Sequence, residues 1–166
     1  GIVLGPNGSA GSGGTTTSPT PAPAPAPAPT PAPETSTGNV IAGTGKIVSE
    51  IWSNVNVESV SQLPLTKAAT STKELTLFES VTDAAENYGQ RVRGYVTAPT
   101  SGQYTFWIAG DNSAELYLST SEDPAKKVKI ASVSTWTNPR EWTKQTSQQS
   151  AKITLEAGKR HYIEPL

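Results

Sequence analysis

The sequence predicts an all-β fold, an antiparallel β-sandwich preceded by a disordered Gly/Ser/Thr and Pro-Ala tail. Three observations carry this. Over the last three-quarters of the chain, apolar residues recur at a period of two in short runs, the mark of strands with one face on a core. Turn signals built from Gly, Pro, Asn and Asp separate those runs at regular spacing, with no long helical period between them. From Pro19 to Pro33 every second residue is proline. Such a run lacks alternate N–H donors and joins neither helix nor sheet ladder.

The elements are most legible between Arg91 and Ser119. In Arg91–Thr97, Val92, Gly94 and Val96 share one side, with Arg91, Arg93 and Tyr95 on the other. In Gln103–Ala109, Tyr104, Phe106 and Ile108 face one way and Thr105, Trp107 and Ala109 the other. In Ala114–Ser119, Leu116 and Leu118 alternate with Glu115 and Tyr117. Pro99, Ser101 and Gly102 supply the first turn and Gly110-Asp111-Asn112-Ser113 the second, since Pro presets φ and Gly, Asn and Asp tolerate positive φ.

Taken in order, residues 1–44 form a tail. Its first part is Gly/Ser/Thr-rich coil. The Pro-Ala run follows, expected in polyproline II as an interdomain spacer of roughly 45 Å. Asn7-Gly8-Ser9 fits a glycosylation sequon. The folded unit spans residues 45–166. Lys46–Ser53 reads as a strand, Glu58–Leu63 as one helical turn, Thr66–Lys73 as polar loop, Glu74–Glu79 as a short strand and Thr82–Tyr88 as loop or turn. After the central strands, Asp123-Pro124 turns the chain into the strand Lys127–Val133, with Val128 and Ile130 alternating. Trp136–Trp142 is a loop, Ala151–Leu155 a strand, Ala157-Gly158 a hairpin turn and Arg160–Glu164 its partner strand.

The bulk numbers exclude several classes. A formal charge of -1 gives no basic footprint for nucleic acid. The sequence contains no run of eighteen apolar residues, so no membrane-spanning helix is expected. Cysteine is absent, so disulfides and thiolate chemistry are excluded. Methionine is also absent, and the chain reads as a piece of a longer protein whose other domains are its neighbours.

Nothing points to catalysis. There is no G-x-S-x-G, H-E-x-x-H or C-x-x-C pattern. The single histidine, His161, reads as a partly exposed strand residue. Glu115, Glu122, Asp123, Glu141, Glu156 and Glu164 are scattered and read as solvated positions, not as a glycosidase pair. Two other features carry binding chemistry. The Asp111-Asn112 turn offers a carboxylate, an amide oxygen and backbone carbonyls, the hard donors calcium uses; it is equally an ordinary turn. Trp136, in a polar loop, either plugs one end of the sandwich or stacks on a sugar face.

Gly94-Tyr95, Gly102-x-Tyr104-Thr105-Phe106-Trp107-Ile108, Asp111, Glu115-Leu116-x-Leu118-Ser119, Asp123-Pro124-Ala125, Arg140-Glu141-Trp142, Gln149-Ser150-Ala151 and Leu155-x-Ala157-Gly158-Lys159-Arg160-x-Tyr162-Ile163-Glu164 together closely resemble the protective-antigen-type (PA-fourteen) lectin-like β-sandwich domain. The resemblance implies a non-catalytic carbohydrate-binding module of a secreted or cell-surface protein, with a glycan or polysaccharide as partner. In sugar-binding members of that family, two aspartates joined by a cis peptide hold calcium, which meets vicinal sugar hydroxyls. The resemblance places Asp111 and Asn112 on those two positions, as metal and ligand residues. Here Asn replaces the second aspartate, removing one negative charge. The family pattern also continues into a further C-terminal strand beyond the Tyr-Ile-Glu segment, so the sandwich is expected to lack that strand. The alternative is a structural or protein-interaction spacer without metal.

Overall fold

The computed structural model describes residues 2–6, 45–80 and 86–166. The Pro-Ala spacer and the Asn7 sequon lie outside the described residues.

The strands are β1 (Ile2–Pro6), β2 (Ile47–Ser53), β3 (Ser71–Leu75), β4 (Tyr88–Thr97), β5 (Gly102–Ile108), β6 (Ala114–Ser119), β7 (Lys127–Val133), β8 (Ile153–Leu155) and β9 (Arg160–Pro165). They form two antiparallel sheets, one ordered β1-β5-β8 and the other β3-β2-β4-β9-β6-β7. Between them lies one core, in which Tyr104, Phe106, Ile108 and Leu155 of the smaller sheet meet Leu116, Leu118, Ala131, Val133 and Ile163 of the larger. The period-two faces read from the sequence are the faces that pack. Phe106 and Leu116 are fully buried, and Tyr95, on the opposite side of β4 from buried Val92, is exposed.

The edge of β5 is filled from an unexpected place. Ile2–Pro6, in a segment read as coil, pairs with it in the register Ile2↔Ile108 to Pro6↔Tyr104. β1 thus supplies one edge of the smaller sheet.

Three local expectations are corrected. β3 covers Ser71–Leu75, residues read partly as loop, whereas Leu77 beyond it is largely exposed. As an edge strand, β3 is set by its ladder to β2, Ile47↔Leu75 to Ile51↔Ser71, and its apolar pattern carries little of the signal. Ala157-Gly158 is not a hairpin turn, because β8 pairs with β5 and β9 with β4 and β6. It crosses between sheets, with Gly158 at φ 74 and its N–H on the Ala98 carbonyl at 3.0 Å. The turns before and after β5 likewise change sheets. In β7, alternation breaks at an irregularity opposite Leu116 and Tyr117. Ile130 is the extra residue, and the inward register passes to buried Ala131 and Val133.

The outer face of the larger sheet is a charge-paired surface. Arg91 Nε donates to Glu50 Oε2 at 2.7 Å, and Arg93 donates to Oε1 at 3.1 Å. The Arg91 hydrogen bond holds the Glu50 carboxyl below its ordinary range. Burial, helped by the Glu115 carboxylate that its hydroxyl donates to, pushes Tyr117 up to about 12. Two residues read as exposed are not. Glu164 is 1% exposed, accepting from Lys127 Nζ and the Tyr162 hydroxyl. His161 is 8% exposed. β9 is an interior strand between β4 and β6, so both faces of it are covered and period alone could not assign an outside.

Candidate functional site

The two sequence-derived binding features meet at one end of the sandwich. β5 ends at Ile108, and Gly110–Ser113 carries the chain across to β6. β7 ends at Val133, and the loop that follows returns to the same place. There Thr137, buried in a loop of exposed residues, clamps the Asp111 turn. Its N–H donates to the Gly110 carbonyl at 2.8 Å, its hydroxyl donates to the same carbonyl at 3.1 Å, and the Gly110 N–H reaches the hydroxyl oxygen at 3.0 Å. Glycine is required at 110 by close approach: a Cβ there would stand 2.7 Å from that of Ala114. Asp111 and Trp136 each follow or precede this clamp by one residue.

The loop is rigidified by two glutamines. Gln145 accepts at Oε1 from both the N–H and hydroxyl of Ser134, each at 3.0 Å, and donates to the Thr135 carbonyl at 3.1 Å. Gln148, fully buried, donates to the Ile108 carbonyl at 3.0 Å and the Glu141 carbonyl at 2.6 Å. It therefore ties the loop to the end of β5. Arg140, at φ 62, reaches across to Glu79 at 2.9 Å.

Trp136 does not plug the sandwich. It is 52% exposed, with the Lys144 ammonium 3.3 Å from its ring centroid and bonded to its carbonyl at 2.9 Å. The result is a cation-backed aromatic surface held at a fixed angle. Asp111 and Asn112 are also exposed, with Asn112 in the left-handed region at φ 63. Among the described residues there is no cis peptide, so the cis linkage implied for calcium-binding relatives is replaced here by a turn that relies on the αL tolerance of Asn.

Whether this turn suits calcium follows from its donors. Asp111 contributes the one carboxylate, and among the described residues no group of three or more His, Cys, Asp or Glu side chains converges. Both lone pairs of the Gly110 carbonyl are occupied by Thr137. Calcium takes 6–8 oxygens. Asp111, Asn112 and the turn carbonyls therefore fit an open, weakly held ion completed by water or ligand, and do not fit a closed cage.

Thr137, Lys144, Gln145 and Gln148 were not singled out from the sequence. Their only signal is a density of Thr and Gln between two strands, which reads the same in any polar loop.

Two antiparallel sheets packed over one core, with a polar, aromatic-bearing loop rim at one end, define an all-β sandwich module. The profile of the PA14 domain matches residues 45–164, and the chain belongs to the PA14 domain family. It is similar to fibrocystin of Canis lupus familiaris, 40% identical over 85 residues covering 45% of this chain and 2% of that protein. It is similar also to N-acetyl-beta-glucosaminyl-glycoprotein 4-beta-N-acetylgalactosaminyltransferase 1 of Mus musculus, 39% identical over 85 residues, 49% of this chain and 8% of that protein. Fibrocystin-L of Homo sapiens is 36% identical over 81 residues, 49% of this chain and 2% of its own length. The chain thus spans only a small fraction of these curated relatives. No solved structure matches it. Among the described residues, no helix is long and apolar enough to cross a membrane.

Proposed function

We propose that this chain is a non-catalytic carbohydrate-binding module of a secreted or cell-surface protein, one domain among several of a longer parent. It engages a glycan at the rim where the Asp111-Asn112 turn adjoins the Trp136 loop. The observation that supports this best is the three-bond clamp between Thr137 and Gly110. It sets a rigid apolar plane beside an oxygen-rich turn, the pairing a pyranose needs: stacking for its C–H face and acceptors for its hydroxyls. Family membership points the same way.

Calcium is part of the proposal as a weak ligand. Asp111 and Asn112 would hold it, and when bound it would supply a hard cation for vicinal hydroxyls. The side chains meanwhile orient the sugar: Trp136 under one face, with Lys144 fixing the indole.

The test is a glycan array with the intact chain, followed by calorimetry on a hit with calcium and with chelator, for the parent, Asp111→Ala and Trp136→Ala. Binding lost in Trp136→Ala, with melting unchanged, is the expected result. A calcium-dependent rise in Tm, absent from Asp111→Ala, is expected once calcium exceeds Kd, about 2.7 kcal/mol at a hundredfold excess. An unchanged melt at millimolar calcium removes the ion from the account. Failure of every glycan favours the second reading, a structural spacer. That reading draws on the lack of a companion acid for Asp111 among the described residues.

A further inference from the structure

Asparagine is thermally labile, because the main-chain nitrogen of the next residue can attack its side-chain amide. The described residues hold five asparagines, Asn54, Asn56, Asn87, Asn112 and Asn138, and all are exposed. Four are protected by the residue that follows. The Val55 N–H is held by the Asn87 carbonyl at 2.9 Å. Val57 sets a branched Cβ beside its own nitrogen, which crowds the approach. Tyr88 lies in the β4 ladder opposite Ser53, and Pro139 has no N–H to give up.

Asn112 has none of these protections. Its follower, Ser113, is small. Among the described residues, neither the Asn112 side chain nor the peptide group joining it to Ser113 makes a hydrogen bond. The clamp on this turn stops at Gly110, whose N–H and carbonyl are both taken by Thr137. Two residues further on, the ladder of β6 begins at Ala114. The peptide plane between Asn112 and Ser113 is therefore fixed by neither neighbour, and its nitrogen is free to turn toward Asn112 Cγ.

We propose that Asn112 is a site of spontaneous modification, converted to aspartate and isoaspartate with Ser113 as the internal nucleophile. The Ser113 nitrogen bonds to Asn112 Cγ, the bond from Cγ to the amide nitrogen breaks, and ammonia leaves with the proton that Ser113 gives up. Water then opens the cyclic imide. Opening at Cγ leaves aspartate. Opening at the main-chain carbonyl leaves isoaspartate, with the chain rerouted through the side chain. Both products set a second carboxylate beside Asp111 and make the formal charge of -1 one unit more negative. The conversion stands by itself; its consequence for calcium rests on the proposed Asp111 rim. There the ion gains an anionic donor, and the number of charged ligands is what tunes calcium affinity.

The full chain is held below its melt at neutral and at mildly alkaline pH. Samples are taken over time for isoelectric focusing and for mass mapping after trypsin. Cleavage at Lys and Arg puts Asn112 alone in the peptide 94–126, apart from Asn7-Gly8 in 1–46. An acidic species is expected to accumulate, faster at the higher pH, with NH replaced by O in peptide 94–126. Ser113→Val crowds the attacking nitrogen and is expected to slow this about tenfold. Asn112→Gln, whose longer side chain cannot close the same ring, is expected to abolish it. A peptide 94–126 that stays unmodified while 1–46 converts would overturn the proposal, as would an equal rate in Ser113→Val. Asn112→Asp stands for the aspartate product. With calcium chloride as the only added ligand, it is expected to bind about tenfold more tightly than the parent by calorimetry. Equal affinity in the two chains would overturn the link to calcium. Calcium binding by neither would refute the Asp111 rim as an ion site, with the conversion still decided by the peptide map.

Discussion

Thr137→Val is the sharpest test of how the rim is built. Valine keeps the branched shape and the main-chain N–H, so the bond to the Gly110 carbonyl at 2.8 Å survives. The substitution removes the hydroxyl that donates to that carbonyl at 3.1 Å and accepts from the Gly110 N–H at 3.0 Å. The carbonyl keeps one donor. The Gly110 N–H loses its acceptor in a site that Thr137 closes, and a buried donor left unmade costs about 1–3 kcal/mol. Adding about 0.5–1.5 kcal/mol for the second bond gives a destabilisation of about 1.5–4.5 kcal/mol. For a folded unit between the small and mid-sized classes, this is a fall in Tm of about 5–18 °C. Thermal unfolding by circular dichroism reads it directly. If the Asp111 turn and the Trp136 loop act together, glycan affinity falls in the same variant even well below its Tm. A melt within a degree or two of the parent would show that the hydroxyl is satisfied equally well by water, and that the clamp is a single bond.

Other expectations concern the scaffold. Phe106, fully buried at the centre of the shared core, should cost about 3–5 kcal/mol on truncation to Ala, measured by urea denaturation; a loss under 1 kcal/mol would mean the two sheets do not share that core. Glu50, whose pKa is lowered by Arg91 first and Arg93 after it, stabilises the fold above the unfolded carboxylate range. That contribution is lost as pH falls through its depressed folded value. Tm should therefore drop on acidification, and Glu50→Gln should flatten the drop while lowering stability at neutral pH by about 1–3 kcal/mol. A parallel pH profile in the variant would assign the acid sensitivity to other carboxylates.

Strands with one wet face were open to reading from sequence, and those with two dry faces were not. Val92 against Tyr95, or Leu116 against Glu115, gives a clean alternation, and β6 begins and ends where the pattern does; β7 keeps the expected ends although its alternation breaks at Ile130. β9 is enclosed on both sides, so Tyr162, Ile163 and Glu164 are all buried, and no period distinguishes a covered glutamate from a solvated one. β3 fails for the opposite reason: Ser71, Thr72, Lys73 and Glu74 are exposed, leaving only main-chain pairing to define it. Asp111 and Trp136 were singled out because a turn carboxylate and a loop indole can carry binding chemistry, and for Asp111 because the family resemblance placed it. Their adjacency was not, because it is made by Thr137 bridging 27 residues. Polar contacts of that span leave no periodic trace.

The pairing Ile2↔Ile108 closes a circuit of more than a hundred residues with a five-residue ladder. Loop closure on that scale exacts its entropy whatever lies between, and so short a ladder returns little. Detachment of this strand is therefore among the cheapest excursions open to the native fold, well below global unfolding. Each such excursion bares the β1-facing edge of β5 at Thr105 and Trp107, the rail on which an incoming extended chain would align.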